Sequence, residues 1–194
     1  MRPLLWIGRC DVFVILTGAP STGKDTLADL LCERYVLERR AFADPLRAMA
    51  LVIDPNIGSY GYELRLSTAV EELGWRETKD RFPAVRTFLQ RLGTDAVRNH
   101  LGKDVWVRAL LETTEPGVDY VVTDARFLNE VTMLRPRVVI RVTRPGVPAV
   151  ASKHPSDKPL HDRHIDVTVV NDGRPEDMLT QLGDLLDSKL KKCF

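Results

Sequence analysis

Residues 12–31 read VFVILTGAPSTGKDTLADLL, and this stretch decides the fold. An apolar run typical of a buried strand is followed by the pattern G-x-x-x-x-G-K at 18–24 and then by leucines at helical spacing. Glycines let the backbone turn its N–H groups inward, and the start of the helix adds its positive end. The order strand, glycine loop, helix predicts a loop that holds phosphate groups. We expect its contacts from Gly18, Ala19, Ser21, Thr22, Gly23, Lys24, Asp25 and Thr26.

The residue after the loop lysine is Asp25, where such loops usually carry a serine or threonine that holds Mg²⁺. Thr26 is the nearest hydroxyl. In one interpretation Asp25 orders waters around the metal, because Mg²⁺ keeps several waters in its coordination shell. In the other, Asp25 is an acidic first-turn residue favoured by the helix dipole. The sequence leaves both interpretations open.

Further apolar runs of strand length predict the rest of the sheet. Short β-rich runs suit strands that are covered on both faces, as in a parallel sheet, and helical patterns separate them. This alternation predicts a doubly wound α/β fold with a five-stranded, mostly parallel sheet. The predicted strands lie at 12–16, 41–43, 120–122, 138–142 and 167–170.

We expect a single domain over residues 1–194, with a core formed by 11–44 and 116–194. Residues 45–115 contain no convincing strand and are broken by proline and glycine, so they predict a helical insertion. Residues 144–164 are rich in proline and charge and predict a lid, because long loops in compact domains are often functional. Arg144 and Lys153 are candidates to close over phosphates, although an ordinary charged surface loop explains them equally well.

A second acidic position follows the predicted strand at 120–122. In an open α/β sheet ligands gather at the carboxyl ends of strands, so Asp124 is expected to face the phosphate loop and to order Mg²⁺ or its waters. Arg126 stands two residues further on. The alternative is that Asp124 only caps the next helix.

Four polar residues recur at spacings of four and are expected on one helical face: Arg86, Gln90, Thr94 and Arg98. Two guanidinium groups, an amide and a hydroxyl suit a phosphate and the edge of a base. A solvated helix face is the alternative, and the phosphate loop elsewhere in the chain favours a second anion site.

Charge and cysteine usage limit the partners. The chain has 28 basic and 27 acidic residues, which gives no reason to expect capture of polymeric nucleic acid or of a membrane surface. Three scattered cysteines fit neither a disulfide framework nor a zinc site, and the apolar start is too interrupted for a signal peptide. His154, His161 and His164 are expected to be solvated loop residues. These features favour a cytoplasmic protein.

Several segments in one order carry a resemblance: GKDT, FADPLR, RTFLQRLGTDAVR, DVWV, TDARFLNE, KHPSD and VVNDG. Together they resemble the phage-type deoxynucleoside monophosphate kinases of the P-loop kinase group. The resemblance runs from Ile15 to Asp172 and leaves residues 1–10 outside. Asp157 stands where relatives tend to carry glutamate, and this departure leaves its role open.

The resemblance implies transfer of the ATP γ-phosphate to a deoxynucleoside monophosphate, with ATP and Mg²⁺ as cofactors, in the host cytoplasm if the protein is phage-encoded. It implies that the loop residues bind ATP and that Lys24, Asp124 and Arg126 are catalytic. Asp25 and Asp124 are expected to contact the metal through water. The expected acceptor residues are Asp44, Arg47, Arg86, Gln90, Thr94 and Arg126. The oligomeric state stays open, a homodimer being one alternative.

Two other functions are compatible with the same residues. A kinase for an alcohol acceptor, such as dephospho-coenzyme A or shikimate, would use Asp124 as a general base. A nucleotide-sensing protein would bind ATP without a small acceptor, and it would not need the polar residues between Arg86 and Arg98.

Overall fold

The computed structural model describes residues 12–59, 61–147 and 159–190, so Lys153 of the predicted lid lies outside the described residues. Its sheet has five strands in the order β2-β3-β1-β4-β5, and every neighbouring pair is parallel. The predicted α/β fold with a five-stranded parallel sheet is confirmed. The strands are β1 (Phe13–Thr17), β2 (Leu37–Arg40), β3 (Asp119–Val122), β4 (Arg137–Thr143) and β5 (Val167–Val170).

The central strand β1 is buried along its whole length, as its unbroken apolar sequence requires. Its Ile15 is in register with Val122 of β3 and Val139 of β4. Because all strands run in the same direction, their carboxyl ends meet at one edge of the sheet. The segments that follow β1, β3, β4 and β5 therefore share this edge.

The strand predicted at 41–43 is wrong. The second strand is instead β2, with the sequence LERR, and helix α2 begins at Ala43. Among the described strands β2 lies at the edge of the sheet and pairs with β3 alone, and its side chains are partly exposed. Charged residues are tolerated there, so the sequence of β2 shows no apolar run. The apolar residues Ala41 and Phe42, on which the wrong prediction rested, are buried just beyond the strand.

Helices account for most of the remaining regular structure. They are α1 (Lys24–Arg34), α2 (Ala43–Ile53), α3 (Leu66–Arg81), α4 (Pro83–Gln90), α5 (Asn99–Leu101), α6 (Val105–Leu111), α7 (Leu128–Met133) and α8 (Asp177–Leu182). A π-helical segment (Arg91–Arg98) continues α4, and 3₁₀ turns form at Asp162–His164 and Gly183–Leu185. Among the described helices, none is long and apolar enough to cross a membrane.

The described chain forms two compact units. The first contains residues 12–41 and 110–190, and the second contains residues 42–109. In the first, Leu27 and Leu31 of α1 belong to one buried cluster with Val14 of β1 and Met178 of α8. In the second, a smaller cluster forms around three fully buried residues, Ala50, Leu66 and Val85.

Candidate functional site

The loop between β1 and α1 needs glycine at both ends of its motif. Gly18 has a φ of 141° and Gly23 a φ of 102°, values that side-chain-bearing residues rarely adopt. A Cβ on Gly18 would lie 2.2 Å from the backbone oxygen of Val142, and one on Gly23 would lie 2.4 Å from Nδ2 of Asn171. The glycines therefore let the loop approach the ends of β4 and β5 closely.

Lys24 reaches back across this loop. Its Nζ donates to the backbone oxygens of Gly18 at 2.9 Å and Ala19 at 2.7 Å. The hydroxyl of Thr22 donates to the same Ala19 oxygen at 2.9 Å. The lysine and the buried threonine thus tie the two ends of the loop together.

Four predicted site residues interact at this lysine. Burial lowers the pKa of Lys24, and of the charges around it Asp25 and Asp124 act to raise that pKa while Arg126 acts to lower it. The field at Lys24 therefore comes from the first turn of α1 and from the segment after β3. The structure places Lys24 where the charges of Asp25, Asp124 and Arg126 all act on it.

The segment after β3 is held by two contacts. The Thr17 hydroxyl at the end of β1 donates to the backbone oxygen of Ala125 at 3.1 Å. Oε2 of Glu130 accepts the backbone N–H groups of Arg126 at 2.7 Å and Phe127 at 2.9 Å. α7 follows Phe127, which occupies the N-cap position of the helix, three residues after Asp124.

Sequence reasoning missed Glu130. Its side chain is buried, with 3% of its surface exposed, and it is the residue that fixes the backbone at Arg126. Its place three residues into a helix start is a recognised signal, because a glutamate there reaches back to free N–H groups. The guanidinium of Arg126 is thus carried by a rigid backbone while Arg126 itself is exposed.

Asp25 has a partner that sequence reasoning also missed. Its carboxylate pairs with the guanidinium of Arg39 on β2, which also binds Asp29 at 2.8 Å. Asp25 and Asp29 are four residues apart on α1, so they lie on one helix face. Arg39 relieves the repulsion between the two carboxylates, and Asp25 keeps 78% of its side-chain surface exposed.

The predicted acceptor residues other than Arg126 belong to the unit of residues 42–109. Arg47 pairs with Asp44 at 3.2 Å and lies 5.9 Å from the centre of the Trp75 ring. Arg86 is exposed and pairs with Asp80 at 3.6 Å.

The polar residues that follow Arg86 on this face are less exposed than Arg86. Gln90 and Thr94 are half-buried, and Arg98, at the end of the π-helical segment, is 7% exposed. A uniformly solvated helix face, the alternative for these residues, does not describe Arg98.

Of the predicted lid, the structure describes residues 144–147 and 159–164. Arg144 is exposed directly after β4. On the far side, Asp162 pairs with Arg141 of β4. Arg163 donates from its backbone N–H to His161 and from its side chain to His164. Within residues 12–59, 61–147 and 159–190, no three His, Cys, Asp or Glu side chains are grouped to hold a metal.

Comparisons with known proteins indicate the family of this chain. The family model for deoxynucleotide monophosphate kinases matches residues 59–182. A protein of Acanthamoeba polyphaga mimivirus, assigned by name as such a kinase, is 28% identical over 91% of this chain and 97% of its own length. The deoxynucleotide monophosphate kinases of Escherichia phage RB69 and Enterobacteria phage T4 are 33% and 31% identical, each over 53% of this chain and 45% of theirs.

A sugar kinase from Janibacter sp. aligns in structure over 92% of this chain and 95% of its own, with a TM-score of 0.43 and 15% identity, which is too distant to bear on function. The family model, by contrast, matches well over half of the chain. The chain is therefore a kinase that belongs to the deoxynucleotide monophosphate kinase family.

Proposed function

We propose that this chain transfers the γ-phosphate of ATP to a deoxynucleoside 5′-monophosphate and releases ADP and the deoxynucleoside diphosphate. The observation that carries the proposal is the meeting of Lys24 in the phosphate loop with Asp124 and Arg126 from the next strand. The Lys24 ammonium would bind the phosphates of the donor, and the Arg126 guanidinium would bind the acceptor. Membership of the family supplies the acceptor class.

The donor is proposed to bind at Gly18–Thr26. The two glycines keep the loop clear of side chains, which leaves its backbone N–H groups for the β- and γ-phosphates. Lys24, which bonds two loop carbonyls, would exchange those contacts for phosphate oxygens. Its positive charge would then stabilise the charge that develops on the transferring group.

The carboxylates beside Lys24 fit Mg²⁺, a cation that prefers oxygen ligands and retains waters. Asp124 and Asp25 would hold it through water, and when bound it neutralises charge on the donor phosphates. Asp25 is exposed, which suits a contact made through water.

The acceptor phosphate is proposed to bind Arg126, because a guanidinium fork matches phosphate oxygens in pairs. Glu130 fixes the backbone that carries this arginine. Further acceptor contacts are proposed for Asp44, Arg47, Arg86, Gln90 and Thr94, and closure over the phosphates for Arg144 and Lys153. A phosphate monoester is ionised at neutral pH, since its second pKa is about 6. No general base is needed, and catalysis consists of positioning and charge neutralisation.

A coupled assay for ADP formation tests the proposal with ATP, Mg²⁺ and a panel of acceptors. The panel contains deoxynucleoside and nucleoside monophosphates, dephospho-coenzyme A and shikimate. Turnover is expected with one or more deoxynucleoside monophosphates. Turnover of dephospho-coenzyme A or shikimate alone would assign Asp124 the role of a base and overturn the proposal. The scattered cysteines suit a reducing compartment, so we place the reaction in the cytoplasm, that of the host if the protein is phage-encoded.

A further inference from the structure

We infer that Asn171 is a positioning residue of the phosphate loop, which holds the peptide between Thr22 and Gly23 so that the Gly23 N–H points toward the donor phosphates. The inference rests on the proposed function, since it takes the loop to bind ATP. It assigns a role in donor binding to the end of β5, two strands away from the loop in the sheet.

Asn171 is fixed at both its backbone and its side chain. It follows β5 directly, and its backbone N–H donates to the Thr143 oxygen at the end of β4 at 2.8 Å. Its side-chain Nδ2 donates to the backbone oxygen of Thr22 at 2.9 Å. The ends of β4 and β5 therefore position the side-chain amide of Asn171 against the Thr22 carbonyl of the loop.

The Thr22 carbonyl belongs to the peptide that joins Thr22 to Gly23, the second glycine of the phosphate loop. A peptide group is planar and trans, so its C=O and N–H point in opposite directions. When Asn171 draws the Thr22 oxygen toward β5, the N–H of Gly23 is turned away from β5. Gly23 directly precedes α1, where backbone N–H groups and the helix dipole favour anions.

The loop admits this amide only because position 23 has no side chain. Nδ2 of Asn171 lies 2.4 Å from the point where a Cβ would be built on Gly23. Within the loop, the Thr22 hydroxyl donates to the backbone oxygen of Ala19, and Thr22 is 2% exposed. The peptide is thus held at Thr22 by a contact within the loop and by Asn171 from the end of β5.

Two substitutions separate positioning from packing. Asn171→Ala removes the donor and leaves the Thr22 carbonyl without its partner. Asn171→Asp keeps nearly the same shape but places a carboxylate, which only accepts hydrogen bonds, against a carbonyl oxygen. The repulsion favours rotation of the peptide and the added charge also repels ATP, so the aspartate variant is expected to bind ATP more weakly than the alanine variant. Asn171→Ala adds no charge, so its loss of ATP affinity isolates the missing contact, whereas a role in filling space alone predicts a lower unfolding midpoint with ATP affinity unchanged.

Gln181 of α8 offers a matched control, because its side chain binds the last residue of β5. Its Nε2 donates to the backbone oxygen of Val170 at 2.8 Å and its Oε1 accepts the Val170 N–H at 2.7 Å. Gln181→Glu also changes an amide to a carboxylate against a backbone carbonyl, here that of Val170, the residue before Asn171. In the described structure its bonds tie α8 to β5 and do not include the loop.

The test measures the dissociation constant for ATP by calorimetry, together with kcat, both KM values and the midpoint of thermal unfolding. The expected result is an ATP dissociation constant raised about tenfold in Asn171→Ala and further in Asn171→Asp, because an unpaired carbonyl and a displaced N–H weaken one anion contact. Acceptor KM is expected to change less than about twofold, since no acceptor contact is altered. Gln181→Glu is expected to lower the unfolding midpoint and leave ATP affinity within about twofold.

Unchanged ATP affinity in both Asn171 variants would overturn the inference. Equal weakening by Gln181→Glu and Asn171→Asp would also overturn it, because any disturbance of β5 would then suffice. Asn171→Ala adds no charge and serves if the aspartate variant does not fold. A wild-type protein that fails to bind ATP would instead refute the proposed function.

Discussion

Arg39 on β2 pairs with Asp25 in the first turn of α1, and the same guanidinium binds Asp29 one helical turn further along. Both Arg39 and Asp25 are substantially exposed, so the pair contributes little to the free energy of unfolding. Its effect is on orientation, because it turns the Asp25 carboxylate toward β2. Asp25, which stands where such loops usually carry a hydroxyl, is therefore held in place by strand β2.

Asp25→Ala is predicted to raise the Mg²⁺ concentration needed for half-maximal activity by about tenfold, the lower end of the effect of removing groups that orient a metal's ligands. Mg²⁺ titrations at saturating ATP measure this. Arg39→Gln is expected to shift the titration in the same direction, and Asp29→Asn, which keeps the Asp25 pair, is the control. An unchanged Mg²⁺ dependence of Asp25→Ala would leave this residue only its interaction with the helix dipole.

Lys24→Ala is predicted to lower kcat by about a hundredfold or more while the protein stays folded, because a preorganised charge contact to the transferring group is lost. Steady-state kinetics and thermal unfolding check the two halves of this statement. A variant that retains more than about a tenth of the activity would argue against this loop as the donor site.

The pH dependence of kcat/KM for ATP is predicted to show an alkaline decline below the ordinary lysine range, which centres on about 10.4. Burial lowers the pKa of Lys24, so its ammonium loses the proton at lower pH than an exposed lysine. The protonated form binds phosphate, hence activity falls as pH rises through this lowered pKa. Lys24→Arg should move the decline to higher pH, since guanidinium stays protonated. A decline at the same pH in Lys24→Arg would assign it to another group.

Arg126→Met is predicted to lower kcat/KM for the acceptor by about ten- to a hundredfold, the value of a charge-assisted contact, while ATP affinity stays nearly unchanged. The control is Arg174→Met, which removes an exposed arginine of the same unit that pairs with Asp177. Weaker ATP binding with an unchanged acceptor KM would place Arg126 at the donor.

Arg86→Met is predicted to act on the acceptor in the same direction and by a similar factor. Arg81→Met is its control, because Arg81 is an exposed arginine of the same unit in an ion pair with Glu77. Acceptor kinetics that are equal in the two variants would make Arg86 an ordinary surface residue.

The strand, loop and helix at 12–31 were predictable because glycines with positive φ and a buried apolar strand leave a local pattern. β2 has no such local pattern, because a strand at the edge of the sheet tolerates the charged sequence LERR. Asp124 and Arg126 were found because the carboxyl ends of parallel strands share one edge.

The residues that bind the phosphate loop and the start of α1, Arg39 and Asn171, could not be predicted from local sequence patterns. Arg39 is 14 residues from Asp25, and Asn171 is 149 residues from Thr22. Their contacts depend on the order of strands in the sheet rather than on spacing along the chain. Only Glu130, four residues after Arg126, carried a local signal.

Label transfer tests the central claim most directly. The protein is incubated with Mg²⁺, ATP labelled at the γ-phosphate and each deoxynucleoside monophosphate, and the products are separated by chromatography. The account predicts label in a deoxynucleoside diphosphate in wild type and its near absence in Lys24→Ala. Label released only as inorganic phosphate, or transferred to no nucleotide acceptor, would contradict it.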